Sequence, residues 1–261
     1  MSLSSDNSAP HHLHSILARV RESSSVNYAS GWAQALDAEW GSLEFAKRHS
    51  EVVNLLLDTV VQLNALPERA RERSLRYVPS WWIAVVQPQA NWTDNGRDSS
   101  SIITPDMLDH LEAAADIIAG SLVGSTAAPR STDLQGISDQ CQEWIDLLQS
   151  MDDVEISGSV RDELLSQIEH LIWLIDNVHI FGAARVSTEA SRVIGSLAQA
   201  SATMGNSNPD TASRWGKAWI AFIAVCVAFN VGAPIVQESI QSGTAVVKEI
   251  ASVVDDVRGA E

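Results

Sequence analysis

Apolar residues recur along most of the chain at intervals of three and four, which is the period of a helix with one buried face. The pattern is clearest between residues 159 and 178, where the apolar positions are Val160, Leu164, Ile168, Leu171, Ile175 and Val178. Ser159 and Asp162 have the spacing of a capping-box variant, which predicts a helix start at this point. The spacing predicts a long, centrally buried helix in an all-α bundle.

Other segments repeat the same period. Their first apolar or capping residues are Ile16, Trp32, Val52, Leu108, Cys141 and Ser187. In the second of them, Trp32, Leu36, Trp40 and Leu43 are predicted to lie on one face of a single helix. Thr104 followed by Pro105 predicts a helix start, because a capping hydroxyl precedes a proline at the first helical position.

One apolar segment, residues 79–88, lies between two prolines and has the composition of a β-strand. The sequence offers no second strand for it to pair with, and a lone strand is not stable. We therefore interpret it as a short buried helix capped by Ser80. The fold class predicted is an all-α multi-helix bundle with an apolar C-terminal helical segment.

Four regions follow from this pattern. Residues 1–14 are predicted to be disordered because they are polar and aperiodic, and residues 15–203 are predicted to form the helical bundle. Residues 204–210 are predicted to be a linker. Residues 211–261 are predicted to form the apolar segment and an acidic amphipathic tail.

The apolar C-terminal segment has no charged residue between Ala218 and Val236. As a helix it would extend about 28 Å, close to the ~30 Å thickness of a bilayer's hydrocarbon core. Tryptophans beside basic residues are typical of a membrane interface with a cytoplasmic flank. The predicted membrane contacts are Trp215, Lys217, Trp219, Phe222 and Phe229, and the predicted location is the cytoplasmic face of the inner membrane.

The alternative is a helical hairpin in a cytoplasmic protein. The dense apolar part ends at Phe229 and is followed by Asn230, Gly232 and Pro234, a combination that ends helices in water. Residues 211–229 and 235–257 would then be the two arms of the hairpin.

Charge excludes one class of function. Seventeen Lys and Arg against 33 Asp and Glu give a net charge of −16, so general affinity for nucleic acid is not expected. Most of the excess lies between Asp94 and Asp176, where 17 acids accompany three bases. This surface provides either solubility alone or recognition of a basic partner, and we select Asp152, Asp153 and Glu155 as candidate partner-binding residues.

A basic helical face provides a second candidate surface. Arg69, Arg73 and Arg76 share that face, which would suit an acidic partner or lipid headgroups, or form a solvated helix end.

Motifs for catalysis and cofactor binding are absent from the sequence, including the nucleophile elbow, the zinc-protease helix and glycine-rich phosphate loops. Asp106 and His110 supply only two metal ligands at helical spacing. Two cysteines exclude a disulfide scaffold and a four-cysteine metal site. We predict no catalytic, cofactor or metal residues and a non-enzymatic protein.

Two local patterns carry a resemblance to a known group of proteins. They are the tryptophan-bearing segment 31–36 (Gly-Trp-Ala-Gln-Ala-Leu) and the aromatic-glycine turn 179–182 (His-Ile-Phe-Gly). Their order is similar to that in bacterial α-helical proteins encoded beside phage-defence genes. The resemblance implies a role in defence and assigns no functional residue.

Two functions are therefore expected. The first is a helical sensing or interaction protein, acting as a single chain or as a homo-oligomer, with a membrane-inserted C-terminal segment. In a defence effector, a protein partner or trigger would release or cluster the bundle, and residues 218–236 would perturb the bilayer. The second is a soluble interaction or immunity-type module that binds a basic protein through its acidic surface.

Overall fold

The computed structural model describes residues 8–23, 25–86, 88, 91–96, 98–121, 134–203 and 209–229. These residues form eleven α-helices and no β-strand, which confirms the predicted all-α class. The helices are α1 (Ala9–Glu22), α2 (Tyr28–Leu36), α3 (Leu43–Asn64), α4 (Glu68–Leu75), α5 (Val78–Val85), α6 (Ser99–Ile102), α7 (Pro105–Ser121), α8 (Leu134–Ser150), α9 (Gly158–Asp176), α10 (Val178–Thr203) and α11 (Pro209–Phe229).

The chain divides into two compact units, where the sequence predicts one bundle over residues 15–203. The first unit is Met1–Gly124 with His179–Ala184, and the second is Ser125–Val178 with Arg185–Glu261. In the first unit α1 packs against α2, α3, α6 and α7, and in the second α8 packs against α9 and α11. Periodicity identifies the apolar face of each helix, but it does not say which faces pair.

Helix α1 begins earlier than the sequence predicts. Residues 9–14 are helical rather than disordered, with Pro10 in the first turn and Ala9 and Leu13 buried. A proline in the first turn does not interrupt a helix, because the amide that it lacks would have no intrahelical partner there. Residues 1–7 lie outside the described residues.

The predicted helix through Trp32 and Leu43 is in fact two helices. Helix α2 ends at Leu36, and Asp37 adopts the left-handed conformation with φ 50°. Helix α3 starts at Leu43, where the hydroxyl of Ser42 accepts the amide of Phe45 at 3.0 Å. Trp40 therefore lies in the connection and not on a helical face.

The proline-bracketed segment is helical, as predicted. Trp81 in α5 is fully buried and donates its indole N–H to the carbonyl of Met107 at 3.1 Å. The predicted cap is wrong, because Ser80 lies inside the helix and Tyr77 precedes its first residue. Helix α7 starts as predicted, with the hydroxyl of Thr104 accepting the amide of Met107.

The centre of the second unit is α8 rather than α9, because α8 packs against both α9 and α11. Gly136 of α8 allows α11 to approach closely, since a Cβ there would lie 3.2 Å from Cγ1 of Val225. Helix α9 buries the middle of its predicted seam, whereas Val160 and Ile175 near its ends are only half-buried.

Helix α10 is interrupted at Gly182, whose φ of 80° and ψ of 161° are not helical. Only glycine adopts this conformation without strain. The ring of His12 in α1 also occupies the position that a Cβ at Gly182 would take. The neighbouring Ile180 and Phe181 are buried, so the predicted aromatic-glycine turn does break the helix.

Candidate functional site

Helix α11 carries the predicted membrane contacts, and most of them face the protein. Trp215, Trp219 and Phe222 are at most 3% exposed, and α11 packs against α8. The ring of Trp215 meets that of Trp144 edge to face, with centroids 4.7 Å apart. The prediction that these three side chains contact lipid is therefore wrong for this structure, because α8 supplies the apolar surface that buries them. Lys217 is exposed.

The rest of the predicted membrane segment is not described. The side chain of Phe229 and residues 230–261 lie outside the described residues, as do 204–208 of the predicted linker. Among the helices that are described, none has both the length and the apolar character needed to cross a bilayer.

The turn between α8 and α9 holds the three acids predicted to bind a partner. One carboxylate oxygen of Asp152 accepts the amides of Val154 at 2.9 Å and Glu155 at 3.0 Å. Glu155 in return accepts the amide of Asp152 at 3.1 Å. These reciprocal bonds close the turn in the same way that a capping box closes a helix start.

Basic and hydroxyl side chains connect this turn to α9 and α11. Arg161 of α9 donates to the carboxylate of Asp153 at 3.0 Å and to the carbonyl of Met151 at 2.8 Å. The hydroxyl of Thr211 in α11 donates to Glu155. The structure therefore gives the predicted partner-binding acids an intramolecular role, although Asp152 and Asp153 remain exposed.

The outward sides of α8 and α9 bear a second set of acids. On α8, three acids at intervals of four and three are exposed, and on α9 three exposed acids are seven residues apart with a fourth beside the first. We call this set the acidic face, and its members are Asp139, Glu143, Asp146, Asp162, Glu163, Glu169 and Asp176. Residues 134–178 contain ten carboxylates and a single basic residue, Arg161, if histidine is counted as neutral.

The acidic face opposes helix stability. Like charges four residues apart, such as Asp139 and Glu143, destabilise a helix by about 0.2–0.5 kcal/mol per pair. Gln135 and Gln142 offset part of this by donating to Asp139 at 2.8 Å and Asp146 at 3.1 Å. A net charge of magnitude about 2–8 is enough for solubility in a small domain, and residues 134–178, with ten acids against one base, carry −9 on their own.

The predicted basic face lies in the first unit. Arg69 and Arg73 are exposed on α4, and Arg76 is exposed directly after its last residue. Two glutamates, Glu68 and Glu72, are exposed on the same short helix, so its charge is mixed.

The first unit contains an aromatic cluster that the sequence pattern does not predict. Its members are Tyr28, Trp32, Trp40, Phe45, His49 and Trp92. Ring centroids of neighbouring members lie 4.7 Å (Trp40 and Phe45) to 6.3 Å (Tyr28 and Trp32) apart. Trp32 is fully buried, whereas Trp40 and Trp92 reach the surface. The pattern that places Trp40 on one helical face with Trp32 and Leu43 gives no signal for this cluster.

The interior of the cluster is tied to α5. The Nε2–H of His49 donates to the carbonyl of Val85 at 2.9 Å, and the hydroxyl of Tyr28 donates to that of Ala84. Burial lowers the pKa of His49 and raises the pKa of Tyr28. Both side chains are therefore neutral near pH 7 and have a structural role.

The other reactive side chains in the described part of the chain form no centre of their own. No group of three or more His, Cys, Asp or Glu in the described residues is placed to hold a metal ion. The Nε2 atom of His110 lies 3.4 Å from a carboxylate oxygen of Asp106, and the ring of His110 stacks on that of Tyr77. Cys141 is buried, and burial raises the pKa of its thiol to about 12, so it stays protonated and unreactive.

Comparison of the chain with protein-family models, curated proteins and solved structures found no match.

Proposed function

We propose that this chain is a helical protein-interaction module whose acidic face binds a basic protein partner. The observation that carries the proposal is the arrangement of charge on α8 and α9. Seven exposed carboxylates lie on two helices that use their apolar sides for packing within the second unit. The acids are therefore available to a partner without any change in the fold.

The physical basis is long-range attraction. A surface of one sign raises the rate at which an oppositely charged protein docks, and salt weakens the attraction. At 0.15 M ionic strength the screening length is about 8 Å, so closely spaced carboxylates still act together. The acids at 139 and 146 are two helical turns apart, which corresponds to a rise of about 10.5 Å.

The test compares two matched sets of charge reversals. The first is Asp139→Lys, Glu143→Lys and Asp146→Lys on the acidic face, and the control is Asp109→Lys, Glu112→Lys and Asp116→Lys on α7. All six acids are exposed, and each set contains two aspartates and one glutamate at intervals of three and four. Both sets change the net charge by the same amount.

The probe is a fluorescently labelled deca-lysine peptide, with binding measured by anisotropy in 50 mM and 300 mM NaCl. Three exposed charges at about 0.5 kcal/mol each correspond to roughly tenfold weaker binding for the α8 set. The α7 set is expected to change affinity less than threefold. Equal weakening by both sets would show that net charge alone is responsible and would overturn the proposal.

A second candidate function is association of the C-terminal part with a membrane surface. One observation favours it: Ile220 is 58% exposed on α11, and Lys217 is exposed one turn earlier. An apolar side chain beside a cation suits an anionic lipid interface. Flotation of the full chain with phosphatidylglycerol vesicles tests it, and loss of flotation in Ile220→Asp with Lys217→Glu is the expected result. A chain that does not float, or whose flotation is unaffected by the two substitutions, contradicts it.

A further inference from the structure

We propose that the exposed edge of the aromatic cluster binds an arginine-bearing segment of a basic protein. The site consists of Trp40, Leu43 and Trp92, which we call the tryptophan patch. It lies in the first unit, apart in sequence from the acidic face. The inference rests on the proposed function, because it gives the same class of partner a second and more selective contact.

The patch presents apolar surface to solvent. Trp40 is 38% exposed, Leu43 is 87% exposed, and Trp92 is half-buried. The two indole rings lie beside each other, with centroids 5.1 Å apart and planes 32° from parallel. Tryptophan is among the residues that contribute most to binding energy at protein interfaces.

Other aromatic rings pack against the indoles of Trp40 and Trp92 and fix their positions, so a ligand does not have to order them. The ring of Phe45 supports Trp40 at 4.7 Å, and the ring of Tyr28 supports Trp92 at 5.1 Å. The carbonyl of Trp92 also accepts the amide of Ala29 at 2.8 Å. A preorganised surface retains more of its contact energy as affinity.

The connection that carries Trp40 is fixed in the same way. Asp37 takes the left-handed conformation and Gly41 has φ 80°, which defines the path of the chain on both sides of Trp40. Arg48 of α3 donates to the carbonyl of Leu36 at 2.7 Å. The tryptophan is therefore presented by a tethered loop.

The acidic residues around the tryptophan patch favour a cationic ligand. Asp37, Glu39 and Asp94 are exposed next to the patch residues in sequence. Arg48 forms an ion pair with Glu44 at 2.6 Å, and Lys47 is the other basic residue between positions 37 and 48. A cation above an indole face is attracted by the ring, and flanking carboxylates add to that attraction.

Arginine fits the patch better than lysine. Its guanidinium is planar and weakly hydrated, so it stacks on an indole while donating to neighbouring carboxylates. Lysine is a strongly hydrated point charge that loses more solvation on an aromatic surface. The patch should therefore add to the discrimination between two cations of equal charge that carboxylates alone separate less strongly.

The experiment measures that discrimination with the full chain. Labelled hexa-arginine and hexa-lysine peptides are titrated by anisotropy, and the ratio of their two dissociation constants is the readout. The wild type is expected to bind hexa-arginine about fivefold more tightly than hexa-lysine, and Trp40→Ala should lower this ratio to about two or less. The control is Trp82→Ala, because Trp82 lies on α5 of the same unit and is equally exposed at 39%.

A second variant avoids any effect on the core. Glu39→Lys with Asp94→Lys changes only exposed side chains, so it should keep the thermal melting curve and weaken both peptides at least threefold. The triple α8 reversal should weaken both peptides equally and keep the ratio. Failure of the acidic-face proposal is thus seen in absolute affinity, whereas failure of the patch proposal is seen in the ratio.

Three results would overturn the inference. One is a ratio that Trp40→Ala leaves unchanged, and another is an equal effect of Trp82→Ala. The third is a concentration-dependent dimer, measured by light scattering, that Trp40→Ala abolishes, because the patch would then be an interface between two copies of the chain.

Discussion

The two units bury the apolar faces of their helices in different ways. The second unit uses long helices with regular apolar faces, so its outward sides are free to carry charge of one sign. The first unit combines the 22-residue α3 with several helices of nine residues or fewer, joined by irregular connections, and its aromatic rings reach the surface at Trp40 and Trp92. Helices with a regular apolar period leave their opposite sides free for charge, whereas irregular connections create apolar contact sites on the surface.

The largest expected effect tests the packing of α11 in the second unit. Trp219→Asp removes a buried indole and places a carboxylate in an apolar site, which should cost at least about 3–5 kcal/mol of unfolding free energy. The neighbouring Ile220→Asp changes an exposed position and should cost about 0.5 kcal/mol. Urea denaturation measures both. Similar losses from the two variants would mean that α11 does not pack on α8 in solution.

Gly182→Ala should have the next largest effect, and it tests the anchoring of residues 179–184 in the first unit. Strain from the backbone conformation and overlap with His12 should together cost about 3 kcal/mol. The double variant with His12→Ala should regain the stability lost through overlap with the His12 ring, but not the stability lost through backbone strain. The matched control is Gly195→Ala in the same helix, where nothing lies within 4 Å and a small stabilisation is expected. A neutral Gly182→Ala variant would show that the break in α10 is absent.

The third prediction concerns a close approach in the first unit. The hydroxyls of Ser99, Ser23 and Ser25 crowd the position that a Cβ on Gly31 would take. Gly31→Ala should therefore cost about 1–3 kcal/mol, whereas Gly120→Ala on α7, which has open space, should be stabilising by up to about 1 kcal/mol. Thermal melting of both variants distinguishes them. If Gly31→Ala also stabilises, the serines do not pack against α2.

The smallest effect is a pH dependence of the aromatic cluster. Burial lowers the pKa of His49 below its ordinary value of 6.5, so the unfolded chain binds a proton more readily than the folded chain. The resulting stability is present above pH 6.5 and falls as the pH decreases below it. His49→Gln keeps an amide donor for Val85 but does not titrate, so its loss of stability between pH 7.5 and 5.5 should be smaller than that of the wild type. Equal losses of stability in the wild type and in His49→Gln would mean that a group other than His49 causes the pH dependence.

The sequence predicted the regular parts of the fold and missed the irregular ones. The start of α7 and the middle of the α9 seam followed from a capping pattern and a period, because these are local properties of the chain. The end of α2 did not follow, because aspartate seldom adopts the left-handed conformation that Asp37 takes. Because the turn at Asp37 was not predicted, Trp40 was assigned to a helical face and the tryptophan patch was not recognised.

The candidate surfaces show the same contrast. The concentration of acids between residues 94 and 176 was evident from the sequence, but their roles were not. Asp152 and Glu155 bond to the turn that contains them, and only geometry separates them from the exposed carboxylates on the outward sides of α8 and α9. The burial of Trp219 likewise depends on α8, which is distant in sequence and whose face the period of α11 does not specify.

The contact between Trp144 and Trp215 has a consequence for synthesis of the chain. About seventy residues separate the two rings, so at ~5–20 residues per second the ribosome needs several seconds to deliver the second after the first. During that interval α8 and α9 have left the ribosome, but the apolar side of α8 that later packs against α11 is still exposed to solvent. Mutual repulsion between neighbouring nascent chains, each bearing the same dense negative charge, would keep those bare sides from meeting before the last helix arrives.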